Sequence, residues 1–283
     1  MDWIEGMNRM LRYIEEHLTD PELSAETAAK YAAYSPFYLQ RIFYGLTDIP
    51  LSEYIRSRRM SLAGQELHTH GARVLDTALK YGYETPESFH KAFRRFHGIT
   101  PSAAKRPQAK LMFMGPLQIS VTLKGGNRMD YQIEKKDAMT VMGFERGFVL
   151  DTAFAEIPKF WDEFFKKGLQ KQVAPLLGCC FEESGSKDFA YMIGNFCEAD
   201  APVLAGMVKR SIPAHTWALF HTEGTDGKDI QTLNRQIFSE WLPANPQYQM
   251  TGDLNIEVYP CQEMTWEDKR WGIWLPIQPA QNT

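Results

Sequence analysis

Two stretches of this sequence hold side chains whose types and spacing could recognise a ligand. In "SPFYLQRIFYG", residues 35–45, a helical period brings Phe37, Gln40, Arg41 and Tyr44 to one face, with Tyr38 beside them. An arginine can address O6 and N7 of guanine, a glutamine can address adenine, and an aromatic ring can lie against a thymine methyl. In "LNIEVYP", residues 254–260, alternation sends Leu254, Ile256 and Val258 to one side of a strand and Asn255, Glu257 and Tyr259 to the other. A carboxylate such as Glu257, lining a hydrophobic cleft, favours a cationic ligand. Aromatic faces would add about 0.5–2 kcal/mol each by cation–π attraction. The aromatic candidates are Trp161, Phe164, Tyr191, Trp217, Trp241, Tyr259, Trp271 and Trp274.

The elements that must position the first stretch occur twice. Displaced by fifty residues, Glu26–Ser52 lies over Asp76–Ser102 without a gap, and eight of the 27 positions are identical, among them Thr27/Thr77, Tyr31/Tyr81, Pro36/Pro86 and Phe43/Phe93. Such self-similarity is the mark of a structural unit used twice. Each copy reads as an Ala-rich helix (Glu26–Tyr31, Asp76–Tyr81), a turn, and a second helix. That second helix is capped by Ser35 or Thr85, with proline at its first position. Leu39, Phe43 and Leu46, and in the other copy Phe89, Phe93 and Phe96, give each second helix one apolar stripe. The opposite face of the second copy carries Glu87, His90, Lys91 and Arg94. A short capped helix with hydrogen-bonding side chains is the geometry that enters a major groove. Between the copies, Leu51–Leu67 reads as one helix, with Tyr54, Ile55, Leu62 and Leu67 as its apolar contacts.

Charge is distributed to match. The net charge is -4, yet residues 23–106 hold 12 basic side chains against seven acidic ones, whereas residues 107–283 hold 17 against 22. A basic segment of this kind can track phosphates.

The stretches "YSPFYLQRIF", "SEYIRSRRMSLA" and "ALKYGYETPESFHKAFRRFHGITPSA" resemble the DNA-binding domain of the AraC/XylS transcriptional regulators, over residues 8–106. The resemblance implies double-stranded DNA as a partner and RNA polymerase as a second one. It implies Phe37, Gln40 and Arg41 as base readers and Lys91 as a base or phosphate contact. Arg56, Arg58, Arg94 and Arg95 would contact phosphates.

Beyond Arg106 the Pro- and Gly-containing segment 107–128 reads as a connection, with a strand over Leu117–Leu123. Strands are expected at Tyr131–Lys135, Met139–Arg146, Leu176–Phe181 and Phe189–Phe196 around a helix at Phe154–Leu169. A second set is expected at Leu204–Ser211, Ala214–His221, Leu254–Tyr259 and Arg270–Pro276 around a helix at Ile230–Leu242. The chain is therefore expected to be multidomain. An all-α domain with two helix-turn-helix motifs (1–106) would precede an α+β domain (129–283) of two tandem ββαββ units. "IPAHTWALFHTEG", "FSEWLPANPQY", "LNIEVYP" and "WGIWLPIQ" resemble the GyrI-like effector-binding domain over residues 129–278. That resemblance implies a groove binding small, often cationic and aromatic molecules, with Glu257 at its floor.

Other chemistries lack their residues. His215 and His221 fall near one strand without a serine, cysteine or paired carboxylate at useful spacing, "GGNRMD" is no phosphate loop, and "FCEAD" has no metal partner. Cys179, Cys180, Cys197 and Cys261 lack the paired spacing of a zinc site and read as reduced, packed thiols. No catalytic residue, metal or cofactor is expected, and the absence of a leader or of a long apolar run points to the cytoplasm. The sequence thus reads as a DNA-binding regulator sensing a small-molecule effector. The alternative is a hydrolase or a drug-sequestering domain tethered to DNA.

Overall fold

Capped helices with apolar stripes build a first unit, Met1–Ser120, and alternating strands a sheet-based second one, Val121–Thr283. The structure, a computed structural model, describes residues 3–32, 36–120, 129–174, 177–182, 188–223, 227–251, 254–259 and 270–280. Ser35 and Cys261 lie outside the described residues, as does part of the strand expected at Leu117–Leu123.

The first unit comprises α1 (Trp3–Glu16), α2 (Ala25–Ala29), α3 (Pro36–Thr47), α4 (Leu51–His70), α5 (Val74–Lys80), α6 (Pro86–His97) and α7 (Pro101–Ala104). Ser24 and Thr27 cap α2 reciprocally, and the Thr85 hydroxyl accepts from Ser88 N–H at the start of α6. α2 ends at Ala29, and a 3-10 turn, Lys30–Ala32, succeeds it where the sequence reads as continuing helix. α4 contacts α2 and α3 as well as α5, α6 and α7. It accordingly buries residues all along its length, Leu51, Tyr54, Ile55, Met60, Ala63 and Leu67 among them, together with Ser57, Arg58 and Ser61.

Those buried polar groups set the course of the chain beyond α7. Residues 111–120 form no strand. Their backbone is instead bound by side chains of the helices. Met114 N–H donates to Ser61 Oγ (2.9 Å), Arg58 donates to Met114 O, Leu117 N–H donates to Tyr54 Oη (3.0 Å), and Asn8 exchanges two bonds of 2.8 Å with Ile119. These side chains satisfy strap backbone donors and acceptors that a strand partner would otherwise pair. It belongs to the first unit, so the division falls at Ser120, inside the 107–128 connection read from the sequence.

His97 joins the strap to the helices. Its Nε2 faces Met60 O at 2.9 Å, and its Nδ1 accepts from Met112 N–H at 3.2 Å, an arrangement only the neutral ring with hydrogen on Nε2 satisfies. The ring lies against Gly64, where an added Cβ would sit 2.7 Å from it.

The second unit runs β1 (Asp130–Lys136), β2 (Met139–Val149), α8 (Leu150–Lys166), β3 (Leu177–Glu182), β4 (Asp188–Cys197), β5 (Val208–Ile212), β6 (His215–Thr222), α9 (Gly227–Gln236), β7 (Tyr248–Met250), β8 (Leu254–Val258) and β9 (Trp271–Pro279). All pairings are antiparallel, in one nine-stranded sheet of order β1-β6-β9-β8-β3-β4-β2-β5, with β7 also on β9. The strand expected at Leu204–Ser211 starts only at Val208, because Met207 N–H closes a turn onto Leu204 O. Period-two alternation gives one face a core of Val141, Leu177, Cys179, Met192, Trp217 and Ile256 with their neighbours. Residues of the other parity, such as Phe148 and Tyr191, meet each other and the α8 side chains Phe160 and Trp161. Cys179, Cys180 and Cys197 form no disulfide.

Burial lowers the His97 pKa below its usual value. Its neutral form therefore contributes stability that is present above about pH 6.5 and is lost as pH falls through the depressed native value. Chemical denaturation at pH 7.5 and 5.5 is expected to show a smaller loss of stability for His97→Gln than for the native chain.

Candidate nucleic-acid face and effector pocket

α6 presents its predicted face as the sequence implies. Phe89 and Phe93 are fully buried, which leaves Glu87, His90, Lys91, Arg94 and Arg95 exposed along the helix. Thr85 fixes the helix start, Pro86 occupies its first turn, and Gly98 ends it at φ 74°.

α3 differs. The side chains of Phe37, Tyr38 and Arg41 lie outside the described part of the structure. Tyr44 is half-buried, and its phenol pKa is raised by burial and by Asp48. Gln40 is only 6% exposed, a correction to its expected place on an open face. The buried side of this helix takes in Leu39, Gln40, Ile42 and Phe43, wider than the stripe of Leu39, Phe43 and Leu46.

Arg58 is the second correction. It is 5% exposed, and its Nε and Nη2 donate to Glu15 at 2.9 and 2.6 Å while Nη1 serves Met114 O. With its donors committed inside the unit, it is a structural cation and not a phosphate contact. Arg56 remains partly exposed, beside Glu53.

In the second unit Glu257 is the centre of a hydrogen-bonded cluster. Its Oε2 accepts from Tyr191 Oη at 2.9 Å and from Tyr259 Oη at 2.8 Å, and Trp161 Nε1 donates to the Tyr191 oxygen at 3.0 Å. Both phenol pKa values lie well above the usual range, first because of burial and then because of the Glu257 charge. The hydroxyls therefore keep their protons and donate them to the carboxylate. Around this charge stand half-exposed rings. Trp161 meets Tyr259 edge-on at 5.2 Å, Tyr259 meets Trp271 at 5.0 Å, and Trp161 stacks with Phe165 at 5.9 Å. Phe164 lies behind Trp161, fully buried.

Three expected pocket residues are elsewhere. Trp217 and Trp274 belong to the apolar core on the other sheet face. The parity of β6 and β9 sends them there, opposite to Trp271. Trp241 lies on a π-helical turn, Ile237–Trp241, packed with Phe220, Tyr131 and Tyr248.

Gly178 is a site residue that the sequence reading missed. It sits directly across from Glu257 in the β3–β8 pairing, and a Cβ there would lie 2.1 Å from Tyr191 Oη and 3.0 Å from Glu257 Oε2. Its lack of a side chain is what lets the hydroxyl reach the carboxylate. A glycine inside a strand is the signal that could have found it.

Residues 132–277, just over half of the chain, match the family described as integron-associated effector binding protein, and residues 28–106 match a helix-turn-helix domain family. The activator AarP of Providencia stuartii is 41% identical over 96 residues, covering 34% of this chain and 70% of that protein. SoxS of Salmonella typhimurium is 41% identical over 93 residues, covering 33% and 86%. The chain belongs to the AraC-type transcriptional regulators, with a C-terminal effector-binding domain of the integron-associated, GyrI-like family. The second unit is also similar to a structure of SAV2435 bound to tetraphenylphosphonium, at 19% identity and a TM-score of 0.46 over 53% of this chain and 94% of that one. In this AraC-type regulator the helix-turn-helix match spans α2 to α7, and the effector-domain match contains the whole Glu257 cluster. No helix among the described residues is long and apolar enough to cross a membrane.

Gly178→Ala is expected to force Tyr191 out of register with Glu257, at an overpacking cost of about 1–3 kcal/mol. Urea denaturation of the full chain measures it, and an unchanged midpoint would show that the hydroxyl is free to move aside.

Proposed function

We propose that this regulator binds a small cationic aromatic effector at Glu257 and reads double-stranded DNA through its two helix-turn-helix units. The observation that carries the effector reading is the Glu257 carboxyl, which accepts hydrogen bonds from two phenols and is ringed by half-exposed aromatic faces. Such a site offers a cation both Coulombic and cation–π attraction, and it rejects an anion of the same shape. Phe37, Arg41, Tyr44, Glu87, His90 and Lys91 are the proposed base-facing residues, with Arg56, Arg94 and Arg95 on phosphates. Residues 1–120 would form the DNA-reading unit, and RNA polymerase would be the protein partner. The order β1-β2-α8-β3-β4 followed by β5-β6-α9-β8-β9 supports reading the effector domain as two ββαββ units, with β7 an addition to the second. The pocket binds without turnover.

Effector binding changes transcription only through a difference in affinity between two states of the regulator. Tryptophan fluorescence with a lipophilic aromatic cation and its neutral isostere tests the site. Native protein is expected to prefer the cation by tenfold or more, roughly the worth of one desolvated cation–carboxylate contact, and Glu257→Gln should abolish that preference. Equal affinities throughout would refute the reading. For the DNA unit, Lys91→Ala should relax sequence selectivity in a mobility-shift assay. Arg94→Ala should instead weaken binding uniformly, with a salt slope shallower by about one.

A further inference from the structure

A groove of about 330 Å³ lies within the first unit, between α4, α6 and the strap. Its apolar lining is Met60, Ala92, Phe96, Met112, Phe113 and Met114. Two strap residues on it are notably open for their type, Met112 at 60% and Phe113 at 70% exposure. The groove is preformed, since His97, Ser61 and Arg58 hold the strap backbone on either side of Phe113. At its rim Arg56 and Arg95 converge on one oxygen, Glu53 Oε2, the only acid among the lining residues. Two guanidiniums thus share one carboxylate at the rim. The local field is therefore cationic over an apolar floor.

We propose that this groove binds an amphipathic anion: a carboxylate or sulfonate carried on a small aromatic or alkyl body. Guanidiniums that share a single carboxylate oxygen retain donors for a second anion, and Arg presents them in a planar fork suited to two oxygens. Three methionines around the apolar body adapt to its shape, and the volume falls in the range of small-molecule sites. A bare phosphate would satisfy the arginines and leave Met112 and Phe113 uncovered. A neutral apolar molecule would cover them without engaging the guanidinium donors that Glu53 leaves over. Only the combined chemistry answers both. The inference stands independently of the effector reading, because no residue of the Glu257 cluster takes part, and it gives Arg56 and Arg95, read above as DNA-phosphate contacts, a second anion to bind.

Isothermal titration calorimetry of the full chain with 1-naphthoate tests it, with 1-naphthylmethanol and inorganic phosphate as controls. The expected result is saturable binding of one naphthoate, with both controls weaker by roughly tenfold or more. Arg95→Gln and Phe113→Ser, both at exposed side chains, should each reduce naphthoate affinity to a similar degree, while Glu257→Gln should leave it unchanged. Binding lost in Glu257→Gln but retained in the two groove variants would overturn the proposal. So would phosphate binding as well as naphthoate, which would mark the arginines as a phosphate contact alone, or no naphthoate binding at all.

Discussion

Arg58 carries a full charge at 5% exposure, and a guanidinium so placed is tolerated only where its donors are met. Glu15 from α1 takes two of its bonds and Met114 of the strap takes a third. Tyr54 adds its hydroxyl to the same Glu15 and in turn accepts from Leu117 N–H. One satisfied network thus ties the first helix, the central helix and the segment beyond the last helix. The length of the DNA-reading unit and the course of the strap depend on it. The groove between α4, α6 and the strap exists because the strap is held there.

The same requirement shapes the effector domain. Glu257 is partly withdrawn from water, and its Oε2 accepts from Tyr191 and Tyr259. That arrangement needs a glycine opposite, Gly178, and an indole donor behind, Trp161. In both units a charged group inside a mostly apolar shell is matched by specific donors or acceptors, and each match dictates specific neighbours. The proposed effector chemistry uses the part of the Glu257 environment that packing leaves open: the edges and faces of Trp161, Tyr259 and Trp271.

Much of this was legible in the residues. The fifty-residue repeat located α2–α3 and α5–α6, since caps, prolines and a three-to-four-residue apolar period are local signals. Alternation in "LNIEVYP" placed Glu257 of β8 and Tyr259 just beyond it on one side. Contacts across the fold were less legible. Trp217 and Trp274 are aromatic residues on strands, as Tyr191 is, and only the register of β6 and β9 assigns them to the apolar face. Gln40 and Arg58 look like surface residues because most glutamines and arginines are. Arg58 is buried on α4, which meets helices along its whole length, and Gln40 on α3, which packs against α2 and α4.

The sequence by itself determined the helix-turn-helix pair, the two-part division of the chain and the one carboxylate worth watching, because each rests on periodicity or on a resemblance carried by contiguous residues. Tertiary structure alone decided that Arg58 is a structural cation, that residues 111–120 bind helices instead of pairing as a strand, and that Gly178 makes room for the Tyr191 hydroxyl. Those outcomes rest largely on partners far along the chain, 43 positions for Arg58 and Glu15, 79 for Gly178 and Glu257 and 111 for Asn8 and Ile119. Whether a polar group finds such a partner is settled by packing in three dimensions, which no local period records.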